Sequence, residues 1–390
     1  MIISTLMQHF LKQLYLSANR NTGKLFLIGF LGVIFYNWWA WQRDKTHLNR
    51  QSLPDKLPPL DSWPNLPLVS ILVPAWNEVE NIEQHIHSFN SLRYPQKELI
   101  LSAGGEDGTY HLAQRSAGHG IVVLRQLPGE GKQRALQRSF SKSMGSIIYL
   151  TDADCLLDND SFEQLVYQIV SQGEEAVSGS SRPSQRESSN PFIISQAASQ
   201  IYSSMHSPSY ASGLLGRNCA VTRELLERSH ALEVPAPSGT DYVMAKMICQ
   251  TGARIRQLPD CRVVTEYPTS MSEYTRQQRR WLNNVAYYGK QFGARNEIRA
   301  VYSATLIGMG MLFLPFIGLF PSKLRLVTWL LFFSHALISR MRYLHFSSNL
   351  LGISIKFRSV LFQPFFLLLD FTVWMRSWMD NIAPGKRQAW

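Results

Sequence analysis

Across residues 24–42 the chain reads LFLIGFLGVIFYNWWAW between Lys24 and Gln42, an apolar run closed by Trp38, Trp39 and Trp41 and followed by Arg43, Lys45 and Arg50. This is the pattern of a membrane span with an aromatic belt and a basic flank. A cleaved signal peptide is the rival reading, but the run starts late and no small-residue cleavage site follows the tryptophans. From Pro67 the pattern changes to short apolar runs separated by stretches of helical periodicity. LVSILVP (68–74) predicts a buried strand, and 78–92, with Ile82, Ile86 and Phe89 at helical spacing, predicts a helix. Further strands are expected at 98–103, at 121–125 and over the run ending at Thr151, with helices from Thr109 and over 131–143. The order βαβαβαβ implies an α/β domain with a mostly parallel, Rossmann-like sheet covered on both faces.

Beyond residue 299 the chain turns apolar again. Residues 300–320 are long enough to span a bilayer. Residues 326–338 are apolar but short, which predicts a hairpin partner or a re-entrant helix. The mixed basic and apolar stretch 340–358 predicts an amphipathic helix lying in the interface. Residues 360–374 are interrupted only by Gln363 and Asp370. Residues 1–16, with Gln8, His9, Lys12 and Gln13 among apolar neighbours, are expected to lie in the interface too. The domains expected are an amphipathic segment and transmembrane helix over 1–50, a soluble α/β domain over 51–299, and a membrane region with about three apolar segments over 300–390.

Charge sharpens this picture. The 390 residues carry 39 Lys and Arg against 28 Asp and Glu, a formal net charge of +11. The basic residues cluster beside apolar segments and within motifs. That distribution points to anionic lipid headgroups and a phosphate-bearing substrate, and away from nucleic acid. Cys155, Cys219, Cys249 and Cys261 show no CxxC spacing, hence neither a zinc site nor a disulfide framework, and fit a reducing compartment. Positive-inside counting after the first span puts residues 43–299 on the cytoplasmic side.

The candidate chemistry gathers at expected strand ends, where open α/β sheets bind ligands. Asp152 and Asp154 close the run SIIYLT. Alternate residues of a strand face opposite ways, so a break after Thr151 is needed for both carboxylates to meet one cation. Taken alone, Asp-Ala-Asp reads first as a solvated turn before a helix capped near Asp158, and it is the motifs further along the chain that reverse this. Trp76, in Pro74-Ala75-Trp76-Asn77-Glu78, is either a surface aromatic or a platform for a base. Gly105-Glu106-Asp107-Gly108-Thr109 reads alone as a turn into a capped helix. Gly129-Glu130-Gly131-Lys132 lacks Walker spacing, yet Lys132 near a helix N-terminus is able to meet a phosphate. Asp241, in Gly239-Thr240-Asp241, is otherwise a helix N-terminal carboxylate. Gln277-Gln278-Arg279-Arg280-Trp281, read alone, is a basic amphipathic helix at a membrane surface.

Together these motifs resemble the family 2 glycosyltransferases, inverting enzymes of GT-A fold, and specifically their membrane-integral branch. The resemblance covers roughly residues 68–285 and rests on PAWNE (74–78), GEDGT (105–109), GxGK (129–132), DAD (152–154), GRNCA (216–220), GTD (239–241) and QQRRW (277–281). It implies a GT-A catalytic domain with flanking transmembrane helices, in which Pro74, Trp76 and Glu78 hold the nucleotide, and Asp152 and Asp154 hold the nucleotide sugar and its Mg2+ or Mn2+; Lys132, from its own place near a helix N-terminus, joins them as a donor-binding residue. The resemblance makes Asp241 the catalytic base, and has Gln277, Arg280 and Trp281 close over the donor diphosphate and acceptor. One departure stands out. Where the family carries consecutive aspartates that contact the base, this chain reads Leu101-Ser102-Ala103-Gly104-Gly105, so either the base is held another way or the donor is not a uridine nucleotide.

About four spans, two of them short, are thin for an export channel. The expected acceptor is therefore a lipid-borne hydroxyl, such as a glycolipid precursor, polyprenol or carotenoid alcohol. A polysaccharide synthase, a nucleotidyltransferase built on a similar sheet and a catalytically silent membrane scaffold are the alternatives.

Overall fold

The computed structural model describes residues 21–50, 57–184, 189–316 and 322–382. The expected interfacial segment 1–16 lies outside them. The described residues form two compact units: an α/β unit within 51–188 and 200–269, and a helical unit within 1–50, 189–199 and 270–389.

The first described helix is α1 (Thr22–Arg50), which belongs to the helical unit, and the chain then enters the α/β unit. There β1 (Val69–Trp76), α2 (Ile82–Asn90), β2 (Lys97–Gly104), α3 (Thr109–Gln114), β3 (Ile121–Arg125), α4 (Gly131–Lys142) and β4 (Ile147–Leu150) follow the alternation legible in the pattern. These four strands lie in the order β3-β2-β1-β4, all parallel. Both faces of the central strands are buried, which is why they read as continuous apolar runs. Ile71, Val73, Leu99, Leu101 and Tyr149 fill the core on one face, and Leu72, Ile100, Ile148 and Leu150 fill it on the other. Each such side chain contributes about 1.5–3 kcal/mol by leaving water. Pro74 is tolerated inside β1 because β4 pairs with that strand only as far as Leu72. The missing N–H, two residues on and facing the same side, has no ladder partner to lose.

The second half of the sheet is mixed. Over this stretch the chain runs β5 (Cys155–Leu156), α5 (Asn159–Gln172), β6 (Ala176–Arg182), α6 (Pro191–Met205, of which 191–199 belong to the helical unit), β7 (Tyr210–Ala211), β8 (Cys219–Thr222), α7 (Arg223–Ser229), α8 (Thr240–Gln250) and β9 (Ile255–Thr265). The order continues β4-β8-β6-β9-β5, with β8 antiparallel to β4 and to β6, and β5 antiparallel to β9. Buried Asn218 stitches this half together. Its amide donates to the carbonyls of Ser180 (2.8 Å) and Cys261 (2.9 Å), and its oxygen accepts from the Tyr149 hydroxyl (2.6 Å).

In the helical unit α9 (Met271–Gln291), α10 (Arg295–Phe313), α11 (Ser322–Leu351), α12 (Phe357–Leu361) and α13 (Gln363–Ile382) accompany α1. Among the described residues, Thr22–Leu48, Arg295–Phe316 and Lys323–Leu351 are long and apolar enough to cross a membrane. The short apolar segment and the interfacial amphipathic helix expected at 326–338 and 340–358 are one continuous 30-residue helix as far as Leu351. Arg340 and Arg342, where a break is expected, are ion-paired inside the unit. Arg342 binds Asp44 of α1 at 2.6 Å, and Arg340 binds Asp370 of α13. The unit also takes in α9, which apolar runs alone do not mark.

Candidate functional site

The parallel strands place four polar loops at one sheet edge. After β1, Asn77 (φ 58°) turns the chain, accepts from the Glu106 N–H at 2.9 Å and donates its own N–H to the Gly104 carbonyl at 3.1 Å. Asp107 accepts from the N–H of Val79 and of Thr109, and the Thr109 hydroxyl accepts from the Glu78 N–H at 2.7 Å. The GEDGT stretch is thus a clamp that holds the PAWNE turn. After β3, Gly129 (φ 76°) and Gly131 (φ 72°) take left-handed conformations that glycine adopts at little cost, and these lead Lys132 into the first turn of α4.

After β4 the ladder breaks, as a shared cation would require. Residues 151–154 are not in a strand, and β5 then pairs antiparallel with β9, Cys155 opposite Thr265. Lys132 Nζ lies 2.5 Å from Asp152 Oδ1. Asp154 Oδ2 is 3.4 Å from the Thr265 hydroxyl, which in turn accepts from Arg217 Nη1 at 3.2 Å. Burial first, and then the neighbouring Asp152 charge, hold the Asp154 carboxyl above the usual carboxylate range against the opposing charges of Arg217 and Lys132. Glu78 is pushed up to about 7 by burial, reinforced by Asp154, Glu266 and Asp152, although a hydrogen bond from Asn81 opposes the rise. For Lys132, burial works against the ammonium, but Asp152 and Asp241 outweigh it and hold its pKa above the ordinary value. The result is a cluster of carboxylates crowded around two cations at the strand ends, an environment suited to a cation or a polyphosphate complexed with one.

Asp241 reaches this neighbourhood from the first turn of α8. Gly216 makes room for it, because a Cβ at Gly216 would stand 2.9 Å from Asp241 Cβ. The GRNCA motif therefore holds three tasks: Gly216 lets Asp241 approach, Arg217 sits by the aspartates, and Asn218 joins the strands. At the end of β1, exposed Trp76 lies against Gly104, where a Cβ would meet the Trp76 ring at 2.9 Å and the Gln126 carbonyl at 2.5 Å. Ala103, the position of the missing carboxylate, is buried one residue earlier in β2.

The α/β unit therefore brings together Glu78, Lys132, Asp152, Asp154 and Asp241, with Pro74 and Trp76 on the adjoining strand end. Gln277, Arg280 and Trp281 lie on α9 in the helical unit, where Gln277 Oε1 accepts from Gln196 at 2.6 Å and Arg280 is exposed. Sequence reasoning passed over Arg217, Glu266 and His85. Arg217 was inside a quoted motif, but Glu266 and His85 carried no signal, because a two-residue strand and a buried helix face bring them in. His85 is fully buried on α2, and its Nδ1 stands 2.7 Å from the Cys155 carbonyl, immediately after the aspartates. Burial pulls the imidazole down to about 4, so it is neutral at physiological pH and Nδ1 carries the donated proton.

Residues 64–284 match a family model described as glycosyltransferase like family 2. The glycosyltransferase AglE of Haloferax volcanii is 26% identical over 198 residues, which cover 48% of this chain and 63% of that protein. The probable glycosyltransferase YdaM of Bacillus subtilis is 32% identical over 113 residues, 27% of this chain and 26% of that one. The chain spans less than two thirds of the length of the curated relatives it matches. Among solved structures, a mannosyltransferase of Pyrobaculum calidifontis in complex with GDP-Man and Mn2+ superposes with a TM-score of 0.53 at 18% identity, over 93% of this chain and 99% of that one. That likeness is one of fold.

Proposed function

The chain belongs to the family 2 glycosyltransferases, and from that membership we propose a membrane-bound inverting enzyme that moves a hexose from a nucleotide sugar to a hydroxyl of a lipid acceptor. The observation that carries the proposal is the crowding of Glu78, Asp152 and Asp154 around Lys132 and Arg217 at the strand ends.

A divalent ion, Mg2+ or Mn2+, fits this donor set. Asp152 and Asp154 offer hard oxygen ligands, and the like charge that raises Asp154 is relieved by a cation. Among the described residues no group of three acidic, histidine or cysteine side chains stands ready to enclose a metal. That suits an ion whose remaining ligands are substrate phosphates and water. Bound there, the ion supplies Lewis-acid stabilisation of the departing diphosphate. Asp154 would be its principal ligand, because Lys132 already engages Asp152.

The chain's own residues do the rest. Trp76 stacks the base, and Lys132 and Arg217 place positive charge where the leaving group becomes more negative. With the leaving group stabilised as an anion, no general acid is needed. Asp241 takes the proton of the acceptor hydroxyl, and attack from the opposite face inverts the anomeric carbon. Gln277, Arg280 and Trp281 keep the roles that the resemblance gives them, closing over diphosphate and acceptor. The three apolar helices support a membrane location, and the basic residues that follow the first of them are the ground for placing the α/β unit on the cytoplasmic side.

The test is transfer itself. Detergent-solubilised protein, native lipid extract, magnesium or manganese and a panel of radiolabelled nucleotide sugars are incubated, and the products partitioned. Label in the organic phase, dependent on active protein, is expected. Label in large aqueous or insoluble material would replace the lipid acceptor by a growing polysaccharide, and absence of transfer from every donor would count against the enzyme reading.

A further inference from the structure

The helical unit holds a second site unrelated to the strand-end carboxylates. A cavity of about 520 Å3 is lined by Ala286, Tyr287, Lys290 and Gln291 of α9 and by Asn381 in the last turn of α13. The four α9 residues share one side of its closing turns. Ala286 is buried, while Tyr287, Lys290 and Gln291 are exposed around it. Their polar groups are largely unspent. Among the described residues Lys290 has no acidic partner, and its contact is the Tyr302 ring, 5.8 Å from Nζ to the ring centre. The Gln291 amide and the Tyr287 hydroxyl make no hydrogen bond among the described residues. Asn381 commits its amide nitrogen to Asn283 (3.0 Å) and to the Ser377 carbonyl (2.7 Å), which leaves its side-chain oxygen as an acceptor.

The place of this cavity along the chain limits what fills it. α9 ends at Gln291 and α10 begins at Arg295, the first residue of a helix long and apolar enough to cross a membrane. Arg295 and Arg299 are exposed on the first turns of α10. With α10 in the bilayer, the cavity opens at headgroup level, where an aromatic ring and basic side chains sit well. An unpaired ammonium, a phenol and a carboxamide suit a phosphodiester, which offers negative charge and several acceptor oxygens. A carboxamide oxygen beside them suits a headgroup hydroxyl.

We propose that this cavity binds the headgroup of an anionic glycerophospholipid, of the phosphatidylglycerol type. Lys290 is the counter-ion of the phosphate, Tyr287 and Gln291 donate to its oxygens, and Asn381 accepts from a headgroup hydroxyl. The inference rests on the membrane placement proposed above.

The full chain in detergent, titrated with phosphatidylglycerol or phosphatidylcholine and read by native mass spectrometry for retained lipid, tests it. Preferential retention of phosphatidylglycerol is expected. Lys290→Ala should weaken it about fivefold, the worth of one basic residue near an anionic surface. Lys290→Arg should largely preserve it, and Lys45→Ala, at a basic flank elsewhere, should leave it unchanged. Equal retention of both lipids, or equal weakening by Lys45→Ala and Lys290→Ala, would overturn the inference while leaving the membrane placement intact. Inorganic phosphate that displaces the lipid at millimolar concentration and binds Lys290 as tightly would overturn it in favour of a soluble phosphate. A chain that remains dispersed in buffer without detergent would sink the membrane placement, and the inference with it.

Discussion

The helical unit and the strand-end site of the α/β unit bury charge in opposite ways. In the helical unit the strongly buried carboxylates are matched. Asp44 faces Arg342 at 2.6 Å with both side chains under a tenth exposed, Asp370 faces Arg340, and Asp380 faces Arg279. Asp370 also accepts from the Tyr274 hydroxyl at 2.8 Å, and Arg340 reaches Gln363 and Ser195. These networks join α1, α9, α11 and α13 and leave little unsatisfied. At the strand-end site of the α/β unit the charges of Asp152 and Glu266 bear on Glu78, that of Asp152 bears on Asp154, and burial penalises Glu78 and Asp154 further. Matched charge costs little once assembled and serves packing, whereas crowded like charge is kept at a cost to stability. The imbalance marks where a ligand completes the structure.

The contrast predicts opposite responses to neutralising a carboxylate. The largest effect is expected at the site. Asp241→Asn should lower transfer by about a hundredfold to ten-thousandfold with donor affinity largely kept, measured as initial rates with the purified variant. Near-normal turnover would remove Asp241 from the base role. Asp154→Asn should lower transfer by about a hundredfold to a thousandfold, checked in the same assay.

In the helical unit, Arg340→Met should leave the Asp370 carboxylate buried and unpaired and cost about 3–5 kcal/mol of stability. Adding Asp370→Leu should return most of it, and a thermal melt of the single and double variants reads this directly. If the single variant melts like the wild type, the matched-pair account of this unit fails. A smaller loss, about 1–3 kcal/mol, is expected for His85→Phe, which strips the Cys155 carbonyl of its donor in a buried place. The same variant should bind Mn2+ more weakly because the turn carrying Asp154 loosens, so unchanged metal affinity would reduce His85 to a packing residue.

The least effect is a slope. Glu78 has a folded pKa of about 7 against an ordinary 4.5. Its folded state therefore holds a proton more tightly than the unfolded chain does. That contribution to stability is complete below about pH 4.5 and is lost as pH rises through about 7. Glu78→Gln should flatten the fall of stability over this window, seen in denaturant midpoints taken along a pH series. An unchanged slope would place the crowding elsewhere.

The parallel half of the sheet was legible because strands buried on both faces leave unbroken apolar runs, and because each helix between them showed its own period. The strand-end motifs followed from that alternation. The mixed half was not legible. β5 is two residues long and β7 is two residues long, too short for any pattern, yet β5 pairing with β9 is what sets Asp154 beside Thr265. Arg217 stood in a quoted motif without a role because only the fold shows which of Gly216, Arg217 and Asn218 faces the aspartates. In α11, Arg340 and Arg342 read as an interfacial break, since their partners Asp370 and Asp44 are distant in the chain.

The most direct test compares thermal melting of the wild type and Asp154→Asn, with and without Mn2+ plus a nucleoside diphosphate. Relief of like-charge crowding should make the variant melt higher than the wild type without ligand. The metal and diphosphate should then raise the wild type substantially and the variant hardly at all. A variant that melts lower without ligand yet gains as much from Mn2+ and diphosphate as the wild type would contradict the claim that these carboxylates are held apart from stability in order to bind a cation and its phosphates.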